Sequence, residues 1–99
     1  MVDAVTDVFK ALADPTRRAI VDELVDRTGQ SLFELCGRLT TNHGLSSSRQ
    51  AVSQHIGVLV DAGLVTVRKK GRYRFHDLDL SPLVAATDRW LTAYRKDTP

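Results

Sequence analysis

Six polar residues fall where a helix would begin: Ser48, Arg49, Gln50, Ser53, Gln54 and His55. Their types suit the edges of base pairs. Arginine can donate a bidentate pair to guanine, and glutamine can pair bidentately with adenine. Ser53 is small enough to let a helix approach a groove, and its hydroxyl can bond a phosphate. Capping and solvation of a helix start would select some of the same residues. Six polar side chains on one face with only one charge among them fit base edges better. Further along, Arg68, Lys69, Lys70, Arg72 and Arg74 place five cations in seven residues around Gly71. Lysines on a strand edge discourage aggregation, but that protection does not need so many. A basic ribbon beside a nearly neutral reading surface suits phosphates or an adjacent minor groove.

Other chemistries have less support. Cys36 is the one cysteine, so no internal disulfide framework exists. A tight soft-metal site needs several convergent thiolates or imidazoles. Cys36 lies on an apolar stripe, where core packing is expected, with a redox or ligand role as the alternative. His43, His55 and His76 lack ligand-like spacing and are expected at the surface or hydrogen-bonded. There is no glycine-rich phosphate loop, nucleophile elbow or paired carboxylate arrangement, so neither catalysis nor a cofactor or metal is expected. Asp22 and Glu23 are expected on a helix surface beside Arg18 and Arg27, as ordinary ion pairs.

Charge distribution strengthens the polyanion reading. The net charge is only +2. Residues 45–76, however, carry 6 basic and 1 acidic side chains, against 5 and 7 before them and 3 and 4 after. Concentrated basic charge points to nucleic acid. The 99 residues are one domain's worth, 1–99, with an ordinary balance of 42% hydrophobic and 26% charged residues. No apolar run approaches the roughly 20 residues of a membrane span, and the N-terminus has no secretory pattern. With a lone cysteine, a cytoplasmic protein without a membrane partner is expected.

Hydrophobic periodicity supplies the elements that must hold these residues. Val5, Val8, Phe9 and Leu12 form a helical stripe, predicting a first helix from about Asp3 to Ala13. Asp14-Pro15 starts a second, with Ile20, Val21, Leu24 and Val25 inward and Gly29 as its cap. Ser31 and Glu34 form a capping box for a third, whose stripe is Leu32, Leu35, Cys36 and Leu39. Thr41-Asn42-His43-Gly44 breaks the pattern. A fourth helix begins at Ser48 and buries Val52, Ile56, Leu59 and Val60, until Gly63 stops it. Two alternating runs, Leu64 to Lys69 and Arg72 to His76, predict a hairpin turning at Lys70-Gly71. Arg68, Lys70, Arg72 and Arg74 share parity, which puts most of them on one face unless the turn intervenes. Ser81-Pro82 opens a last helix to about Arg95. Leu83, Val84, Ala86, Trp90, Leu91 and Tyr94 are too widely spread for one stripe, so this helix needs a second partner. A two-fold homodimer through Val5, Val8, Phe9, Leu83, Trp90, Leu91 and Tyr94 is the simplest answer.

Several stretches together resemble the ArsR/SmtB-type regulators. Phe9-Lys10-Ala11-Leu12-Ala13-Asp14-Pro15-Thr16-Arg17-Arg18-Ala19-Ile20 is similar to their signature opening. Ala51-Val52-Ser53-Gln54-His55-Ile56 through Leu59, then Ala62-Gly63-Leu64-Val65, is similar to their recognition helix and the approach to the wing. Gly71-Arg72-Tyr73-Arg74-Phe75 resembles the wing. The resemblance covers about residues 8–92 and implies a winged-helix dimer built on the first and last helices. In that family it is usually a repressor that shields a promoter. Two departures stand out. The segment Thr40 to Ser48 is longer than the family's usual tight turn. The metal-sensing motifs are also missing: Glu34-Leu35-Cys36-Gly37-Arg38-Leu39 keeps one cysteine where arsenic and cadmium sensors have two, and the last helix has Asp88 but no histidine. The chain therefore resembles members without a metal site.

The expected fold is mainly α with a small β-hairpin: a winged helix-turn-helix in α-α-α-α-β-β-α order. The expected partners are double-stranded DNA and a second copy of the chain. A protein-interaction winged helix and an effector- or redox-responsive sensor of the same fold are the other readings.

Overall fold

A computed structural model describes residues 4–97, with side chains described from Val8 to Lys96. Its elements run α1 (Ala4–Ala11), α2 (Pro15–Asp26), β1 (Gln30–Ser31), α3 (Leu32–His43), α4 (Arg49–Asp61), β2 (Val65–Lys70), β3 (Tyr73–Leu78) and α5 (Ser81–Asp97). The order is the expected one with one addition, the two-residue strand β1. It pairs antiparallel with β3, making a three-stranded sheet in the order β1-β3-β2. Two residues are too few to show an alternation.

The core gathers Val8, Ile20, Leu24, Leu35, Leu39, Val52, Ile56, Leu59, Leu64 and Val65 from α1 through β2. Leu32 and Cys36 pack partly buried against it, as the α3 stripe requires. Three expectations shift. Val25 and Val60 are exposed rather than inward. The buried face of α2 is Ala19, Ile20, Glu23 and Leu24, rotated by one residue from the expected stripe. Helix α2 also ends earlier than expected, with its C-cap at Arg27 rather than at Gly29. Gly29 has φ +78° and donates its N–H to His76 O at 2.8 Å, leading the chain into β1.

Glu23 explains the rotation. It is 5% exposed, not on the surface beside Arg18 and Arg27 as expected. Its carboxylate accepts from Arg38 Nε at 2.5 Å, Asn42 Nδ2 at 3.1 Å and His43 Nε2 at 3.1 Å. All three donors are on α3, so a buried anion on α2 holds the end of α3 in helical form. Helix α3 consequently runs through His43 and ends on Gly44 in the left-handed conformation, φ +63°. The segment Thr40 to Ser48, expected as a long turn, is therefore helix up to His43. The connection proper is only residues 44–48.

The Asp14-Pro15-Thr16-Arg17-Arg18 run joins α1 to α2. Asp14 caps α2 by accepting from Arg17 N at 3.1 Å. Burial opposes its charge, but this hydrogen bond and the Arg17 guanidinium hold its carboxyl below the usual value. Arg17 Nε donates to Ala11 O at 2.6 Å and Nη2 to Lys10 O at 3.2 Å, while Arg18 Nη1 donates to Leu12 O at 2.9 Å. The two arginines thus bind carbonyls at the end of α1, where the helical donors run out. Arg17→Ala should lower the unfolding free energy by about 2 kcal/mol, read from urea denaturation. An unchanged midpoint would show the clamp to be idle.

Candidate nucleic-acid interface

Ser48 caps α4, its hydroxyl accepting from Ala51 N at 3.1 Å. Val52, Ile56 and Leu59 bury the opposite face and so fix how α4 is rotated. Arg49, Gln50, Ser53 and Gln54 are left exposed on the outer side. Gly57 lies one turn beyond Ser53, also exposed, and a Cβ there would meet nothing within 4 Å. The outer surface of α4 thus carries no Asp, Glu, Lys or Arg after Arg49 through Gly57, and His55 lies at its margin. His55 is half-buried and turned toward the start of α2. A guanidinium only donates, so Arg17 Nη1 at 3.2 Å donates to His55 Nδ1. Of the six candidate reading residues, the structure sets five on the open side of α4 and its cap, and His55 beside Arg17.

The wing differs from expectation in register. Lys70 pairs with Tyr73, so the turn is Gly71-Arg72, not Lys70-Gly71. Gly71 has φ +62° and no other residue of the turn has a positive φ, the pattern of a two-residue hairpin turn with glycine at its first central position. Directly paired residues share a face. The pairs Val65–Leu78, Val67–His76 and Lys69–Arg74 therefore lie on the core-facing side. Thr66–Asp77, Arg68–Phe75 and Lys70–Tyr73 lie on the other. The shared parity of Arg68, Lys70, Arg72 and Arg74 thus does not put them together: Arg74 projects from the opposite face to Arg68 and Lys70, and Arg72 sits at the tip.

The wing cations also differ in availability. Arg68 Nε donates to Asp77 Oδ2 at 2.5 Å, and its guanidinium lies 5.5 Å from the Phe75 ring centre. That hydrogen bond and the adjacent positive charge hold the Asp77 carboxyl below its usual range. Arg49, Lys69, Lys70, Arg72 and Arg74 form no ion pair among the described residues. They are the cations open to a polyanion.

Strand β1 places helix and wing side by side. Ser31 pairs with Phe75, and its hydroxyl also accepts from Glu34 N at 3.2 Å, with Glu34 Oε1 accepting from Ser31 N at 3.1 Å. The expected capping box is present. His76, buried, donates from Nδ1 to Gln30 O at 2.8 Å. His43 and His76 are thus hydrogen-bonded histidines. Burial pushes the Cys36 thiol up, away from the thiolate form that reactivity needs. Among the described residues no group of three or more His, Cys, Asp or Glu is placed to hold a metal ion. No helix among them is long and apolar enough to cross a membrane.

The candidate dimer residues divide into three groups. Val8 is buried in the protomer's own core, and Leu83 is half-buried against it, so neither presents an open face. Phe9, Trp90, Leu91 and Tyr94 are exposed, with Trp90 at 50% and Tyr94 at 71%. The rings of Phe9 and Trp90 stack at 6.0 Å between centres, tying α1 to α5. The side chain of Val5 lies outside the described residues.

A polar-faced second helix in a helix-turn-helix, flanked by a basic two-stranded wing, defines a winged helix-turn-helix DNA-binding regulator. Comparison with known proteins agrees. Residues 12–68 match the family model described as "Helix-turn-helix domain". The HTH-type transcriptional regulator YuzN of Bacillus subtilis is 48% identical over 84 residues, covering 85% of this chain and 91% of YuzN. The transcriptional repressor SdpR of the same organism is 30% identical over 79 residues, 78% of each chain. A crystal structure of an ArsR family transcriptional regulator superposes with TM-score 0.73 at 27% identity, covering 97% of this chain and 94% of that one. The chain belongs to the ArsR/SmtB-type helix-turn-helix regulators, DNA-binding transcription factors rather than enzymes.

Proposed function

We propose that this protein is a sequence-specific transcriptional repressor that binds a pseudo-palindromic operator as a cytoplasmic homodimer. Helix α4 lies in the major groove, with Gln50, Ser53 and Gln54 against base edges. The wing lies on the backbone or in the adjacent minor groove, held by Arg72 and Lys70. The observation that carries this reading is the division of labour on one surface. An uncharged helical face stands beside a wing whose cations are mostly unpaired. SdpR, named a transcriptional repressor, supports the sign of the effect. The exposed Phe9, Trp90, Leu91 and Tyr94 support pairing through α1 and α5.

Selection of bound duplexes from a random pool tests the whole reading. Two half-sites about 34–36 Å apart are expected. A dimer neutralising about eight phosphates should lose about seven units of log affinity per tenfold rise in salt. An affinity indifferent to salt would overturn the backbone contacts. Gln54→Ala should relax preference at one base pair by about 1–3 kcal/mol, whereas Arg72→Ala should weaken all duplexes alike. Equal losses on selected and random duplexes for Gln54→Ala would remove it from the reading surface.

A further inference from the structure

Between the wing and the first turn of α3 runs a groove of about 400 Å³. It is lined by Phe33 from α3, Arg49 from α4, and Arg72, Tyr73 and Arg74 at the tip of the wing. No acidic residue lines it. Its three arginines make no ion pair among the described residues, while Arg17, Arg18, Arg38 and Arg68 are all engaged elsewhere. Two large rings also face solvent there, Phe33 at 76% exposure and Tyr73 at 64%.

An exposed apolar side chain by itself is ordinary. Here the rings stand among guanidinium groups, and the two chemistries together select the occupant. A small anion would use the arginines and leave the rings wet. A strand of nucleic acid alternates phosphates with the apolar faces of sugars, and both kinds of contact occur in DNA complexes. The position also fits, because the first helix of a helix-turn-helix crosses the backbone beside the reading helix.

We propose that this groove seats the sugar–phosphate backbone of one DNA strand, with Phe33 and Tyr73 against deoxyribose and Arg49, Arg72 and Arg74 on its phosphates. The proposal rests on the DNA-binding reading above and gives Arg49 a role that its residue type alone does not suggest. Arg49, by type a reader of guanine, becomes a backbone clamp. Base reading is left to Gln50, Ser53 and Gln54. Phe33 becomes a DNA-contacting residue outside both the reading helix and the wing.

Fluorescence anisotropy of the full chain tests this on a duplex selected from a random pool and on a scrambled duplex of equal length, across a salt series. Phe33→Ala, with wild-type thermal unfolding, should weaken both duplexes by about fivefold through lost apolar contact, with the salt slope unchanged. Arg49→Ala should weaken both and lower the slope by about two units per dimer. Arg49→Lys should retain the slope and the preference for the selected duplex. Wild-type affinity for Phe33→Ala on both duplexes overturns the groove alone. Loss of preference in Arg49→Lys returns Arg49 to base reading and overturns its assignment here. Failure of the unmodified protein to bind any duplex overturns the groove and the DNA-binding reading together.

Discussion

Glu23→Ala should lower stability by about 3 kcal/mol, because removing one partner of a buried charge cluster leaves the others uncompensated. The residue is almost fully buried, and three α3 side chains donate to its carboxylate. The direct consequence falls on the last turn of α3, which Asn42 and His43 tie to α2. Loss of that turn would lengthen the connection to α4 and loosen the angle between the two helices, weakening DNA binding even under conditions where the chain stays folded. Acid should reproduce the effect. Burial opposes the charge of Glu23, but the hydrogen bonds from Arg38, Asn42 and His43 outweigh it and hold the carboxyl below its ordinary value of 4.5. A carboxyl depressed in the folded state contributes fully above the unfolded value and loses that contribution as pH falls through the folded one. Melting temperature should therefore fall on acidification below pH 4.5. Glu23→Gln should be less stable near neutrality and show a shallower acid dependence. A parallel acid profile for wild type and Glu23→Gln would show that other groups carry the titration.

Trp90→Ala should convert the proposed homodimer to monomers and, with them, cut operator affinity by at least about a hundredfold, the usual scale of linking two binding units. Trp90 stacks on Phe9 and still exposes half its surface. It therefore both joins α1 to α5 and offers apolar area to a partner. Sedimentation velocity at micromolar concentration reads the assembly state, and the duplex titration reads the coupling. A variant that remains dimeric would remove Trp90 from the interface. One that becomes monomeric at full operator affinity would remove the dimer from DNA recognition.

Much of this arrangement was legible in the residues alone. Helix caps carry local chemistry, so Asp14, Ser31 with Glu34, and Ser48 marked three helix starts correctly. The uncharged start of α4 and the basic hairpin were likewise visible, because composition and alternation are local signals. What escaped depended on contacts between distant segments. Glu23 looks like a surface residue until Arg38, Asn42 and His43 come to it from α3. Their arrival also explains why Thr41-Asn42-His43 is helix despite its poor propensity. Val25 was expected inside because periodicity counts apolar side chains alone and gives no weight to an acid, Glu23, on the other flank of the Ile20–Leu24 stripe. The parity of the wing arginines misled because two residues, not one further strand position, make the turn. Phe33 gave no signal at all: its exposure follows from the rotation of α3, which Leu35 and Leu39 set from within the core.

Ser31 occupies two structures at once. Its backbone belongs to the sheet through Phe75, and its side chain belongs to the capping box of α3. Neighbouring Gln30 is pinned by His76 on one side and donates to the carbonyls of Glu23 and Arg27 on the other. The wing is thereby riveted to the helix pair rather than hung from it. In the proposed homodimer, a change in the angle between the two protomers would swing the reading helix and the wing as one lever arm. Major-groove and backbone contacts would then be made or lost in the same stroke, so the operator complex should release abruptly instead of peeling away.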